Sequence, residues 1–420
     1  MTSEREAYVY IQLPGTREAV PAALLRVLTL KDGTRVGRFR YGDRYLRRPD
    51  AVALDPFKLP LAPELFEFTT LRGIPGAVRD AAPDAWGRRV IEYRLARATE
   101  DLDELDYLLH GPQDGAGNLS FGLTAQPPTP VRAYNRTRQL AELIELAQHI
   151  DAGEPVAARL LEEIEPGTSL GGARPKATVE DEQKLYLAKF PLPDDRVNLQ
   201  RVEFATLALA QRAGIRTARA RLERVGVHDA LLLERFDRQW LGEGYARFGL
   251  VSALTVLEAG ESHLDRERWS YPLLADALRR WTERPAQDCV ELYRRMVFNA
   301  AVTNDDDHPR NHALLRTPRG WRLAPAYDLV PSPKVSQERR DLALTVGQYG
   351  RAGSIYNLLS QSRRFALETA AARAVIDDVV TAVHGWREVY RSCGVSVADC
   401  ERMAPAFLPA GFFYENTPAP

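Results

Sequence analysis

The chain has 420 residues, with 56 Lys and Arg against 57 Asp and Glu. At a net charge of −1 it is not an electrostatic nucleic-acid binder as a whole, so any DNA contact has to be local or come through a partner. Its 45% hydrophobic and 27% charged residues are ordinary for a globular protein long enough for two or three cores, no apolar run approaches the roughly 20 residues of a membrane span, and an odd number of cysteines (Cys289, Cys393, Cys400) without metal-ligand spacing fits a reduced compartment; the expectation is a cytoplasmic protein without membrane contact.

Residues 7–48 alternate as strands do, in Tyr8–Leu13, Leu24–Leu30 and Arg35–Tyr41 around an Asp32-Gly33 turn, and predict a small antiparallel sheet. Arg35, Arg38, Arg40, Arg44, Arg47 and Arg48 interleave there with Phe39, Tyr41 and Tyr45. This is either a nucleic-acid surface or a solvated outer face whose charges discourage edge pairing. From Pro75 to Leu109 the period is helical, with Trp86, Val90, Ile91 and Leu95 on one stripe. Gly111–Asn118 and Gln126–Pro130 are loops, the second marking a domain boundary, and helices are expected at about 137–150 and 155–164.

A glycine-rich run, Gly167–Lys176, precedes the strand Leu185–Phe190. Glycines between short strands let backbone N–H groups approach phosphates. Lys189, on an otherwise apolar strand face, either meets an anion or snorkels to water. The run lacks the Gly-x-x-x-x-Gly-Lys-Ser/Thr pattern, which argues against a Walker-type ATPase. Arg201–Gly214 reads as a helix with a glycine stop; Glu203 near its start either pairs with Lys189 or sits exposed where the helix dipole favours it. Two further strands end at Glu234-Arg235-Phe236-Asp237-Arg238, where a hinge carrying adenine contacts would fall, and 249–301 is mostly helical with Leu292, Met296, Val297 and Ala300 on its apolar face.

That face runs into Asn304-Asp305-Asp306-Asp307-His308-Pro309-Arg310-Asn311. Carboxylates about 4 Å apart repel by roughly 1 kcal/mol in water and about 4 at an effective dielectric near 20. In a cleft the run needs a cation; on the surface it is a solvated acidic turn. Asn311 follows Asp306 by five positions, the spacing of the base Asp and metal-binding Asn in a kinase catalytic loop, and a short hairpin then leads to Tyr327-Asp328-Leu329. In that order Asp306 orients the attacking hydroxyl and accepts its proton, while Asn311 and Asp328 hold Mg²⁺ against ATP phosphates. Residues 361–408 are again helical, and 409–420 are expected to be loosely ordered.

Together Ser169–Lys176, Lys189, Glu234–Arg238, Asn304–Asn311 and Ala326–Leu329 resemble the HipA family of bacterial toxin kinases, over nearly the whole chain. The resemblance implies an α+β, two-lobed protein-kinase-like (HipA) fold, with an N-terminal sheet-containing subdomain (1–128), a kinase N-lobe (129–236) and a mostly helical C-lobe (237–420). It implies a serine/threonine protein kinase using ATP and Mg²⁺ in the cytoplasm, and a HipB-like helix-turn-helix antitoxin that supplies the DNA affinity. The family's best-known target is glutamyl-tRNA synthetase, which points to an aminoacyl-tRNA synthetase substrate, stalled translation and persistence. By position, Asp306 matches the catalytic base, His308 and Asn311 the rest of the ATP-metal loop, and Asp328 the second metal ligand with Tyr327 beside it. Lys189 matches the ATP lysine, Gly171, Gly172, Ala173, Arg174, Pro175 and Lys176 the phosphate loop, and Glu234, Arg235 and Phe236 the hinge. Ser169 matches a loop serine whose autophosphorylation ejects the loop; a phosphoserine of roughly −1.5 to −2 charge would repel ATP phosphates. The departures are Arg174-Pro175, where many relatives carry other polar residues, and Arg310 where lysine is common. An inert nucleotide-binding co-repressor acting with the antitoxin is the alternative, and a small-molecule kinase of the same superfamily stays open.

Overall fold

The computed structural model describes residues 3–129, 134–154, 156, 172–333 and 340–416. The chain forms two compact units, one from residues 1–192, 234–251 and 315–318, the other from 193–233, 252–314 and 319–420. These units cut across the three consecutive segments expected from the sequence, because contacts rather than chain order define a core.

In the first unit, β1 (Ser3–Gln12), β2 (Ala19–Thr29), β3 (Arg35–Tyr41), β4 (Phe66–Phe68) and β5 (Leu119–Gly122) form an antiparallel sheet in the order β4-β3-β2-β1-β5. Alternation puts Ala7, Val9 and Ile11 of β1 on the same buried face as Leu25, Phe39 and Tyr41, where Val78, Leu105 and Leu108 of two short helices pack against them. On the other face Arg26 pairs with its cross-strand neighbour Glu6 at 3.1 Å and Arg38 with Glu67 at 2.8 Å. Arg40 lies 3.6 Å from Asp43 and Arg48 2.9 Å from Asp50. Arg38, Arg40 and Arg48 thus have acidic partners, in agreement with the outer-face alternative at these three positions.

Helix Ala85–Leu95 buries Trp86, Val90 and Ile91, and Asp84 caps it by accepting from the Gly87 N–H at 2.9 Å. Helix Leu140–Ala152 stands where 137–150 was expected; the helix expected at about 155–164 lies outside the described residues apart from Val156. Next, β6 (Asn135–Arg136) pairs in parallel with β7 (Lys176–Asp181). The chain then turns through Glu182 and Gln183, both left-handed, into β8 (Lys184–Lys189), the two-residue hairpin geometry that follows strand twist.

The second unit is mainly helical. Helix Leu199–Arg212 ends before Gly214, whose φ of +79° explains the glycine stop. Helix Pro285–Ala301 buries Leu292, Met296, Val297 and Ala300 as expected, together with Tyr293 and Phe298. The end of the chain differs from expectation over 409–416. Phe412 is fully buried, the Leu408 N–H donates to the Ala301 carbonyl at 2.7 Å, and the Tyr356 N–H to that of Tyr414 at 2.9 Å. The aromatic residues near this end bury enough apolar surface to hold it. Among the described residues no helix is long and apolar enough to cross a membrane.

Asp55 is fully buried in the first unit; its Oδ1 accepts from the Phe57 N–H at 2.7 Å and the Lys58 N–H at 3.3 Å, while Oδ2 has no hydrogen-bond partner among the described residues. Burial pushes its carboxyl up to about 6. The folded chain therefore binds an extra proton between about pH 4, the unfolded value, and about 6, and loses stability as pH rises through that window. Asp55→Asn keeps both backbone bonds and should raise stability at pH 8 by about 1–3 kcal/mol, with little change at pH 4. Thermal unfolding of the full chain at both pH values measures this, and a variant that tracks the wild type at both would contradict it.

Candidate active site

Thr303, just past helix Pro285–Ala301, is left-handed with φ +52°, and turns the chain out of the helix into the acidic run. Its hydroxyl donates to the Ala406 carbonyl at 2.6 Å and accepts from Arg340 Nη1 at 3.1 Å. The three carboxylates then diverge: Asp305 is half-buried, Asp306 exposed and Asp307 buried. Asp307 Oδ2 accepts from the Tyr271 hydroxyl and sits 2.8 Å from His312 Nε2. The Tyr271 hydroxyl accepts from Asn299 Nδ2 at 3.1 Å, and Asn304 Nδ2 donates to Asn299 Oδ1 at 3.1 Å. Burial, then the Asp307 charge, holds the Tyr271 phenol well above its ordinary range, so it stays a donor. The sequence leaves the run as either a cation-seeking cluster in a cleft or a solvated acidic turn; Asp307 fits neither, since it turns inward and its Oδ2 is met by protein donors. Tyr271, Asn299 and His312 were missed, since no spacing links the first two to the loop.

The Asp306 carbonyl accepts from the His308 N–H at 2.8 Å and from Asn311 Nδ2 at 3.2 Å. That bond fixes the Asn311 amide and leaves its Oδ1 buried without a hydrogen-bond partner among the described residues. Such an oxygen costs about 1–3 kcal/mol when left unsatisfied. His308 caps the turn Pro309–Asn311, its Nδ1 accepting from the Arg310 N–H at 3.2 Å. The Tyr327 hydroxyl donates to the Arg310 carbonyl at 2.7 Å, so Tyr327 ties its own segment to the loop. Asp328 follows with φ +58°, a conformation Asp tolerates better than most residues, and Ala326 is fastened by its N–H to Arg216 O at 2.7 Å and its carbonyl to Ala218 N at 2.8 Å. Desolvation raises the Asp306 carboxyl above the usual carboxylate range; the His308 ring opposes this, and the charges of Asp328, Asp305 and Asp307 add to it. The structure thus gathers Asp306, Asn311 and Asp328. Among the described residues no three His, Cys, Asp or Glu side chains form a metal cage. Asn311 Oδ1 and the Asp328 carboxylate are two oxygen donors, as suits a hard cation that takes its other oxygens from phosphates and water.

In the first unit, Gly171 and Ser169 lie outside the described residues. Gly172 and Ala173 are exposed, Arg174 half-buried and Pro175 buried. Lys176 departs from the expected phosphate contact: its Nζ is 2.8 Å from Asp84 Oδ2 and 3.2 Å from the Gly172 carbonyl, with both charged side chains at most 2% exposed. Lys189, half-buried, is its register partner on β8. Glu203, in the second unit, is 5% exposed, which removes the exposed-helix alternative.

The Glu234–Arg238 segment splits by alternation. Glu234 pairs with Lys184 at 3.1 Å and Phe236 is half-buried, whereas Arg235, Asp237 and Arg238 turn inward. All five N–H groups of Arg235 are taken, by Asp114, Asp237 and the Gly115 carbonyl. Arg238 bridges the same two carboxylates at 2.8 and 2.7 Å. The Arg235 side chain is therefore part of a buried ionic knot that holds the glycine loop 111–118, which leaves only its backbone for the hinge role expected from the resemblance.

Two family models match this chain, the HipA N-terminal domain over residues 25–122 and the HipA-like C-terminal domain over 168–386. Serine/threonine-protein kinase toxin HipA of Shewanella oneidensis is 28% identical over 169 residues, 37% of this chain and 39% of that one. The Sinorhizobium fredii protein Y4mE is 33% identical over 73 residues, 17% of each chain. The matched region thus spans less than half the length of either curated relative. A chain from the Shewanella oneidensis MR-1 toxin–antitoxin complex of HipA, HipB and operator DNA superposes with a TM-score of 0.68 over 95% of this chain and 94% of that one, at 16% identity. The likeness establishes the fold, which is the α+β kinase-like fold expected from the sequence.

Asp307→Ala should cost about 2–4 kcal/mol of stability, since Tyr271 and His312 lose their buried acceptor, whereas Asp306→Ala at its exposed position should cost under about 1 kcal/mol. Urea unfolding followed by tryptophan fluorescence measures both, and equal losses would contradict the assignment of one carboxylate to structure and the other to chemistry.

Proposed function

This chain belongs to the HipA family, and from that premise we propose that it is an ATP-dependent protein kinase acting on a serine or threonine hydroxyl. The observation that carries the reading is the Asn311 amide: pinned through Nδ2 to the Asp306 carbonyl, it keeps a buried Oδ1 with no protein donor, five residues from an exposed, proton-accepting carboxylate. Phosphoryl transfer asks for little covalent chemistry from a protein, so positioning and charge placement supply most of the rate.

In this reading Asp306 orients the substrate hydroxyl and takes its proton; its raised affinity for protons suits a general base. Asn311 Oδ1 and the Asp328 carboxylate hold Mg²⁺, which when bound neutralises phosphate charge. Tyr327 keeps the Asp328 segment in register with the loop through Arg310. Lys189 and the backbone N–H groups at Gly172 and Ala173 are assigned to the ATP phosphates, and Glu234 and Phe236 to the hinge. Ser169 is assigned as the autophosphorylation site, which would shut off nucleotide binding by like-charge repulsion. A HipB-like antitoxin fits a chain of net charge −1, since DNA affinity would then come from the partner. The protein substrate is proposed to be an aminoacyl-tRNA synthetase, on the family resemblance.

Incubating purified full-length protein with ATP and Mg²⁺ and reading its intact mass tests this. The wild type should gain one phosphate that maps to Ser169, and Ser169→Ala none. Asp306→Asn should slow the gain by about 10²- to 10⁴-fold. Asp328→Asn, which keeps the left-handed backbone, should fall by at least about 10²-fold without losing fold. An unmodified wild type that gains nothing would move the assignment to the nucleotide-binding co-repressor.

A further inference from the structure

We propose that Asp84 and Trp86 are positioning residues for the nucleotide loop, and that Lys176 anchors that loop and is not a phosphate ligand. The inference rests on the kinase reading of the Gly172–Lys176 segment. Lys176 is held at both ends by the start of one helix: its ammonium by Asp84 Oδ2 at 2.8 Å, and its backbone carbonyl by the Trp86 indole N–H at 3.0 Å. Asp84 uses its second oxygen to cap that same helix at Gly87 N, so the anchor and the helix start share one carboxylate. The ammonium also donates to the carbonyl of Gly172, which closes residues 172–176 into an arch.

Gly172 is fitted to this arch. Its φ is +118°, a backbone conformation that favours glycine, and a Cβ there would lie 2.8 Å from Lys176 Nζ, so a larger residue would displace the ammonium from its place. Past the arch, the Phe190 N–H bonds the Pro175 carbonyl at 3.0 Å and seats the loop's exit on β8. Moving the lysine to a phosphate would break an ion pair whose two side chains are at most 2% exposed, and breaking a buried pair is costly. The cheaper arrangement keeps the lysine on Asp84 and lets the exposed backbone at Gly172 and Ala173 face the phosphates. Nucleotide affinity then depends on helix Ala85–Leu95, and by reciprocity bound nucleotide steadies that helix.

The two possible roles of Lys176 predict opposite signs for one variant. Asp84→Asn keeps the helix-cap acceptor and removes only the charge that holds the lysine. If Lys176 is an anchor, the Kd of the full-length protein for a non-hydrolysable ATP analogue with Mg²⁺ rises about 5- to 20-fold. A phosphate-binding lysine, released from Asp84, would instead bind as tightly or tighter, which overturns the proposal. Trp86→Phe, which deletes the indole N–H and keeps a ring, should weaken binding by about 2- to 5-fold and decides the matter if Asp84→Asn does not fold. In steady state the loss should fall mainly on the KM for ATP; a loss confined to kcat counts against the proposal. A wild type that does not bind the analogue overturns the kinase reading and this inference with it, whereas a binding wild type with an unweakened Asp84→Asn overturns the inference alone.

Discussion

A carboxylate that cannot be left dry sets the geometry of the candidate site. Asp307 is 1% exposed, and an unpaired charge at that depth would be prohibitive. Its donors come from Tyr271, at the start of one helix, and from His312, at the far end of the loop, while Tyr271 is held in turn by Asn299. These contacts fix the path of the loop between Thr303 and Ala313 through Asp307 Oδ2, while Asp307 Oδ1 and His312 Nδ1 keep no hydrogen-bond partner among the described residues. On that path Asp306 projects outward and Asn311 folds back onto the Asp306 carbonyl. The candidate pair is placed by a residue to which the proposed reaction gives no part.

The first unit uses the same device twice. The Lys176–Asp84 pair and the knot of Arg235, Arg238, Asp114 and Asp237 are buried ions paired with opposite charges. Arg247 joins the knot without a carboxylate of its own, donating to the carbonyls of Gln113, Gly115, Gly117 and Leu119; burial and the neighbouring Arg238 push its guanidinium down from its ordinary value. Desolvation offsets most of the attraction in such clusters, so their value lies less in net stability than in excluding alternatives. Each one fastens a glycine-bearing loop to an ordered element. Without them those loops would have many conformations of similar energy.

Departures from such satisfaction occur elsewhere too, as at Asp55 Oδ2, but at the candidate site three of them coincide. Asn311 Oδ1 is buried and unpartnered, Asp328 is left-handed, and Asp306 carries a carboxyl lifted by desolvation and neighbouring carboxylates. Each feature costs stability, and the three come together at one place. Strain and unmet hydrogen bonding scattered through a core would signify little. Their coincidence around a five-residue spacing is what separates a site from a turn.

Much of this was legible in the chain itself. Alternation gave away β1 to β3 and β8, a 3.6 period marked the helix that buries Trp86 and Val90, and the spacing of Asp306, Asn311 and Asp328 marked the candidate site. These are local signals, set by backbone sterics over a few residues, and they survive without knowledge of what packs against them. Which of three adjacent aspartates turns inward was not legible, nor that Lys176 would meet Asp84 across 92 residues, or Arg235 meet Asp114 across 121. The fate of a charged side chain depends on donors and acceptors delivered from remote parts of the chain, and on how much water they exclude. That is a property of the assembled core, so only the tertiary structure could decide it.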